Sequence, residues 1–461
     1  MPRVSVVMPV YNYQNYVGFA IQSVLNQTYK DFELVITDNA STDRTEEAIK
    51  KFTDDRIRLL SLKINQGHSV GMNKCISEAK GEFIALLNAD DTFYPEKLEK
   101  QVSILDKNPD VAAVFTYVQL MDGKGNDLAD GQLYYTSESF KQPNRNRFEW
   151  LRHFFFHGNC LCYPSAVIRK QCLNEIGLLD PRFAQLVDFD LWLRVCMNYE
   201  IHIIPEKLVK FRVHPDQGSN AEQPETISRS FLEWIQVLEH YLNPAICDNL
   251  LKIFSLTDIK KTGLLTKNLT TKIDSELVPF VIAMLALQVD RPAEQYFGCK
   301  LLYQMLENQD IAQKLQEKYS FDVSKLLAIA REQDVFGIVS QKKLQFQLEQ
   351  AQSEIAQLRF QYATLLAQSW VEAELKVPDS QKHYTILVRN AWYKYLKGDM
   401  SGMAQSLEQS LNHTPLSATE TILNWLEIFA KLSLNHGEVQ LDISSLTDSQ
   451  EWRQVIDSIL A

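Results

Sequence analysis

The stretch Phe83-Ile84-Ala85-Leu86-Leu87-Asn88-Ala89-Asp90-Asp91 (FIALLNADD) decides how the first half of the chain is read. Its apolar run is too short for a helix and holds no turn former, so it reads as a buried strand. The run ends on an amide and two neighbouring acids. Carboxylates at the end of a buried strand repel each other and lose hydration. They belong there either as caps for the helix that Pro95-Glu96 begins, or as groups that meet a ligand beyond the strand.

Working outward, the same alternation recurs. Upstream lie the strand run Val4 to Met8, closed by Pro9, and helix-spaced Val17, Ile21, Val24 and Leu25. Phe32 to Ile36 is a second strand. Ser41-Thr42-Asp43 opens a helix with Glu46 and Glu47 in its first turn. Ile57 to Leu62, Val70 to Ala79 and Val111 to Leu120 continue as strand, helix and strand. This predicts an α/β fold with a mixed, mostly parallel sheet and flanking helices.

From about Glu225 the chain turns helical. Gln341 to Tyr362 carries Leu344, Leu348, Ile355, Leu358 and Tyr362 at helical spacing without Gly or Pro. It reads as a linker helix packed on its neighbours, with a short coiled coil as the other reading. Arg389 to Leu432 reads as helical hairpins broken at Lys397-Gly398-Asp399. The expected divisions are an α/β domain over 1–222, a helical region over 223–340, a linker helix over 341–372 and an all-α hairpin domain over 373–461.

Composition narrows the class. A net charge of −11 argues against broad nucleic-acid binding. Seven thinly spread cysteines suggest reduced thiols and a cytoplasmic setting, with contact at the inner face of a membrane left open. MPRVSVVMPVYN lacks the features of a signal peptide. The apolar run Val278 to Val289 falls short of the about 20 residues of a membrane span and reads as a buried helix. His157, Cys160 and Cys162 are close in sequence, but no second ligand pair completes a zinc site.

Ligands of open parallel sheets bind beyond the carboxyl ends of the strands. Asn12 follows the first strand, Asp38 and Asn39 the second, Asn65 the third, and Asn88, Asp90 and Asp91 the fourth. Polar residues after successive strands imply one shared crevice. Hard carboxylate oxygens suit Mg²⁺ or Mn²⁺ bridged to phosphates. Asp91 reads as a cap for the next helix and Asp90 as the metal ligand.

VSVVMPVYNYQNYVGFAIQSVLNQTYKDFELVITDNASTDRT, NQGHSVGMN and GEFIALLNADD follow in an order that resembles family 2 glycosyltransferases of the GT-A (Rossmann-like) fold, over Pro2 to Ser219. The resemblance implies metal-dependent, inverting transfer of a sugar from a nucleotide-diphosphate sugar, UDP-linked by expectation. The acceptor is a saccharide or other hydroxyl compound, as in polysaccharide or glycoconjugate synthesis. The cofactor it implies is Mn²⁺ or Mg²⁺.

By position, Pro9, Tyr11 and Asn12 match the family's first nucleotide loop. Asp38 matches the acid that recognises the base, followed here by Asn39-Ala40-Ser41 where Asp-Gly-Ser is usual. Asn65, Gly67 and Asn73 match the next motif, with Met72 where Arg is common. Asn88-Ala89-Asp90 matches the DxD segment, Asn88 replacing its first acid. GNCLCYPSAVIRK resembles the acceptor-side stretch. LVDFDLWLRV resembles the ED-x-D-L-W-x-R segment, with Val187 in place of Glu and Asp188 at the catalytic position, where it serves as base. Read without the family, Asp188 is more readily a helix cap than a base, though Asp190 could also fill that task. FRVHPDQGS resembles the Tyr-Arg-x-His segment, making His214 a ligand of metal or diphosphate and Arg212 the partner of an acid.

The departures at Asn39, Met72, Asn88 and Val187 motivate a second reading: a degenerate sugar-nucleotide-binding scaffold whose helical half binds partners. No G-x-G-x-x-G follows the first strand, which disfavours a dinucleotide oxidoreductase. The helical half is left with three candidate tasks: docking a protein partner, self-association, or covering the acceptor cleft.

Overall fold

The structure is a computed structural model that describes residues 1–129, 137–214, 224–264, 273–333, 342, 344–355, 358, 382–434 and 449–460. An eight-stranded sheet runs in the order β3-β2-β1-β4-β7-β6-β8-β5. Its strands are β1 (Val4–Val10), β2 (Phe32–Asp38), β3 (Ile57–Ser61), β4 (Phe83–Leu86), β5 (Thr92–Phe93), β6 (Val111–Met121), β7 (Val167–Arg169) and β8 (Glu200–Arg212). β7 runs against β4 and β6, and β5 against β8; the other pairings are parallel. β1, β2, β3, β4, β6 and β8 therefore all finish on one edge of the sheet.

Flanking helices are α1 (Val17–Leu25), α2 (Thr45–Lys50), α3 (His68–Glu78), α4 (Lys97–Lys107), α5 (Arg147–His157), α6 (Lys170–Ile176), α7 (Val187–Asn198) and α8 (Pro224–Leu238). Alternate residues of the central strands enter two different cores, as the two-residue period of a strand requires. Val7, Val35, Ile84 and Leu86 face one, with Met72 and Trp192. Val6, Met8, Leu34, Ile36, Phe83 and Ala85 face the other, with Val17, Ile21 and Leu98.

Pro9 does not end β1, which continues to Val10. Pairing with β4 stops at Val7–Leu86, while pairing with β2 runs on through Pro9–Thr37. Pro9 thus lies where only one side of the strand is bonded, and a missing N–H is tolerated there.

The chain forms two compact units, Met1–Phe336 and Gly337–Ala461. In the first, the core that holds Trp192 continues into Val237, Tyr241, Phe280 and Phe297, so the helices after 224 pack on the sheet. The apolar run at Val278 forms the buried helix Val278–Ala286. Among the described residues no helix is long and apolar enough to cross a membrane.

The second unit contains helices Lys382–Leu396, Met400–Leu411, Ala418–Leu434 and Gln450–Leu460 around Trp392, Trp425, Phe429 and Trp452. Gly398, at φ +80°, makes the break between the first two, and Asp399 Oδ1 accepts from Gly402 N–H at 2.8 Å to cap the second. Residues 344–355 are helical, and Leu344, Leu348, Ile355 and Leu358 are exposed. Tyr362 lies outside the described residues.

Candidate active site

Register builds the crevice first. Val10 pairs with Asp38 and Val7 with Leu86, so the β2 end and the Asn88–Asp91 turn sit two strand spacings apart, roughly 10 Å. Val213 N–H donates to Met121 O, which brings the chain after β8 onto the same edge. His214 follows directly, and its Nε2 lies 3.2 Å from Asp90 Oδ2. Both side chains are buried, and His214 Nδ1 has no partner among the described residues.

Asp91 does a different job from the one expected. It does not cap α4, whose first turn has no side-chain cap. Its carboxylate accepts from Arg212 N–H at 2.8 Å and from Asn88 Nδ2 at 3.0 Å. Burial, then the neighbouring Asp90 charge, raises its pKa well above the usual carboxylate range. Two adjacent acids coexist because one of them holds the turn and the other faces the histidine. The Arg212 guanidinium makes its hydrogen bonds to backbone carbonyls, while its charge is felt by Asp91. Its Nε donates to Asp90 O at 2.8 Å and its Nη1 to Asp122 O at 3.0 Å, which fixes the peptide of Asp90.

The loops on the β2 side are stitched together by amides. Asn12, at φ +59°, accepts at Oδ1 from Thr42 N–H at 2.8 Å. Asp38 is buried and accepts from Ser41 N–H at 3.1 Å. Asn39 Nδ2 donates to Asn65 Oδ1 at 2.9 Å and to Gly67 O at 3.0 Å, so this departure from the family pattern anchors the next loop. Gly67 sits at φ +86° immediately before α3. Tyr11 is exposed at the rim, while Pro9 and Ala89 are buried beneath it.

Asn73 Nδ2 donates to Leu179 O at 2.7 Å and its Oδ1 accepts from Leu179 N–H at 3.0 Å, which braces the loop before α7. Met72, where Arg is common, is fully buried in the core.

Asp188 occupies the second position of α7 and meets one of that helix's own first-turn N–H groups, while the residue before the helix, Leu186, supplies no side-chain cap. Its carboxylate accepts from Phe189 N–H and from Asn159 Nδ2, both at 2.8 Å. Burial pushes its pKa up to about 6, against the lowering effect of those two bonds. Asp190 is no cap. It is buried between Arg194 at 2.6 Å and His240 at 2.7 Å. Burial alone would raise its pKa, but the His240 hydrogen bond and the Arg194 charge prevail and hold it low. The two acids of one helical turn are thus sorted, Asp190 neutralised in the interior and Asp188 presented at the sheet edge. Val187 is buried in the core beside them.

Sequence reasoning missed four residues here. Asn159 lies in a quoted motif, but nothing marked it as the partner of Asp188. Tyr163 and His68 meet edge-to-face with ring centroids 5.6 Å apart, the first within reach of the Asp188 charge and the second of the Asp90 charge. Glu233, on α8, accepts from the N–H groups of Ala184, Gln185 and Leu186 at 2.8–2.9 Å, fixing the entry to α7. His157, Cys160 and Cys162 do not gather, and among the described residues no three His, Cys, Asp or Glu side chains form a metal cluster.

A family profile described as glycosyl transferase family 2 matches residues 5–175. An uncharacterized glycosyltransferase of Methanocaldococcus jannaschii is 34% identical over 217 residues, 46% of this chain and 71% of that one. The chain belongs to glycosyltransferase family 2. The O-antigen biosynthesis glycosyltransferase WbnJ of Escherichia coli is 32% identical over 246 residues, 51% of this chain and 90% of that one. Among solved structures, S. aureus TarS 1-349 in complex with UDP overlaps 69% of this chain and 91% of that one, at 17% identity and a TM-score of 0.43. The family 2 protein is a glycosyltransferase with a GT-A sheet, and its matched region ends before α7, so Asp188 lies beyond the profile.

Proposed function

We propose that this enzyme moves a sugar from a UDP-sugar to a hydroxyl acceptor, with a divalent cation and with inversion at the anomeric carbon. The observation that carries the reading is the sorting of carboxylates at one sheet edge. Asp38 and the Asp90–His214 pair stand at strand ends, and Asp188 stands in the first turn of α7 with its pKa raised to about 6. An acid whose pKa is raised toward neutrality, yet lies below the working pH, is ionised and basic enough to take a proton. Persistence of all three acids favours an enzyme over a degenerate scaffold.

In this reading Pro9, Tyr11, Asn12, Asp38, Asn65 and Gly67 cradle the nucleoside, and Asn88 and Ala89 approach the ribose and diphosphate. Asp90 Oδ2 and His214 Nε2 converge to 3.2 Å, a buried carboxylate oxygen and an imidazole nitrogen that together suit a divalent ion. Mn²⁺ or Mg²⁺ held there supplies charge neutralisation for the departing diphosphate. Asp188 accepts the proton of the acceptor hydroxyl as its oxygen bonds to the anomeric carbon and the bond to the diphosphate oxygen breaks. Asn159 holds the carboxylate toward that hydroxyl. The O-antigen relative supports a polysaccharide or glycoconjugate as the final product.

The test is donor turnover across a panel of nucleotide sugars with Mn²⁺, read as nucleoside diphosphate release, with NMR of the first anomer formed. Release from a UDP-sugar with inverted product is expected. Retention, or turnover untouched by chelation, would overturn the corresponding part of the reading.

A further inference from the structure

Tyr163 is the residue the mechanism leaves unexplained. It opens a short 3-10 turn, Tyr163–Ser165, that is held rigidly from several sides. Ser165 Oγ donates to Cys162 O at 2.7 Å, Gln101 Nε2 donates to Ser165 O at 2.8 Å, and Leu86 N–H donates to Ala166 O at 3.1 Å. A side chain carried on such a turn has little freedom to seek a partner elsewhere.

The ring is placed by two neighbours. On one side its centroid lies 6.3 Å from that of Trp192. Trp192 is four residues after Asp188 on α7, hence on the same helix face, one turn below the carboxylate. On the other side lies the His68 ring, edge-to-face at 5.6 Å, on the first residue of α3. His68 is close enough to Asp90 to feel its charge, as Tyr163 is to Asp188. The tyrosine ring thus stands between the first residue of α3 and the face of α7 that carries Asp188.

Its hydroxyl is withdrawn from solvent and has no hydrogen-bond partner among the described residues. Buried hydroxyls are normally satisfied, and an unsatisfied one carries the cost of its lost hydration. Burial, then the Asp188 charge, raises its pKa well above the ordinary phenol value, so it stays a neutral O–H able both to donate and to accept.

We propose that the Tyr163 hydroxyl binds a hydroxyl of the donor's sugar ring, and so sets which sugar is positioned between Asp90 and Asp188. This rests on the proposed function, because a single displacement places the transferred sugar between the diphosphate and the base. Tyr163 is a sugar-binding residue in this assignment and takes no proton. Nucleoside and diphosphate are held elsewhere and should not sense its loss.

The experiment is Tyr163→Phe, which removes only the oxygen. Hydrolysis of UDP-glucose, UDP-galactose, UDP-N-acetylglucosamine and UDP-N-acetylgalactosamine is measured without acceptor, beside UDP affinity by calorimetry and the melting temperature. The expected result is a fall of about ten- to a hundredfold in kcat/KM for the preferred donor. Its preference over the next-best donor should shrink, with UDP affinity unchanged and the melting temperature no lower than wild type, since the oxygen removed has no partner among the described residues. Unaltered kcat/KM for every donor overturns the assignment, as does a parallel loss of UDP affinity, which would mark a general disturbance. If the wild-type chain consumes no nucleotide sugar at all, the transferase substrate reading fails first and takes this assignment with it.

Discussion

His214 Nε2 lies 3.2 Å from Asp90 Oδ2, joining the ends of two strands separated by β7 and β6 in the sheet. The contact exists because Arg212, two residues before the histidine, clamps Asp90 O and gives its own N–H to Asp91. In the proposed function the pair would hold the cation, with phosphate and water left to complete its shell. Asp90→Ala should remove most of the Mn²⁺-dependent gain in UDP affinity, at least about tenfold, or roughly 1.4 kcal/mol. His214→Ala should remove part of it. Calorimetry with and without Mn²⁺ is the measurement, and an intact Mn²⁺ increment in Asp90→Ala would take that residue out of the role.

Asp188 gives the reaction a pH signature. With a pKa near 6, kcat/KM for transfer should climb with pH through about 6 and level off above it, because the base must be ionised. Asp188→Asn should lower transfer by about 10²–10⁴-fold while leaving UDP affinity intact. The stability effect has the opposite sign. A folded-state pKa above the unfolded one means that burying the ionised group penalises folding, and this penalty grows as pH rises from the ordinary carboxylate value through about 6. The asparagine variant should therefore melt no lower than wild type at neutral pH, although its transfer is lost. A variant that both melts much lower and loses UDP binding would point to a structural role instead.

Ala40 carries a cost at the β2 end. It sits at φ +62°, the left-handed region, where the family usually places glycine. An L-residue pays roughly 1–2 kcal/mol there, while glycine loses about 0.5–1 kcal/mol more chain entropy on folding. The balance favours Ala40→Gly by up to about 1 kcal/mol. Chemical denaturation should show a higher midpoint with an unchanged slope; a lower midpoint would mean that the methyl group packs usefully.

The sheet was legible because its central strands are short continuous apolar runs between turn formers, and the crevice because polar residues follow four of them. What could not be read was how the polar groups divide their labour. Asp90 and Asp91 are adjacent and chemically identical in sequence, and only the return of β8, more than a hundred residues later, decides which one faces His214. Asp188 and Asp190 pose the same problem, settled by His240 and Arg194. Asn73 matches a motif, and its amide bonds to Leu179, a contact that no local pattern announces. Pro9 looked like a stop because a proline interrupts most strands, and the short reach of β4 removes that objection.

Glu233 shows that the helices after the sheet take part in shaping the site. Its carboxylate, 7% exposed, receives three consecutive N–H groups from Ala184, Gln185 and Leu186, just where α7 begins. Those donors have no helical partners of their own, because the first N–H groups of a helix and its entry are left over by the i to i−4 pattern. A carboxylate there also meets the positive end of the α7 dipole. Glu233→Ala strands several partly buried donors, at about 1–3 kcal/mol for the group, and frees the segment that carries Asp188. The melting temperature should fall by several degrees and kcat should drop more than donor affinity, since Asp38 and Asp90 sit on other elements. Glu233→Gln, which keeps one acceptor oxygen, should lie between alanine and wild type on both measures. Equal loss of UDP binding and kcat in Glu233→Ala would show that α8 supports the fold as a whole instead of the base in particular.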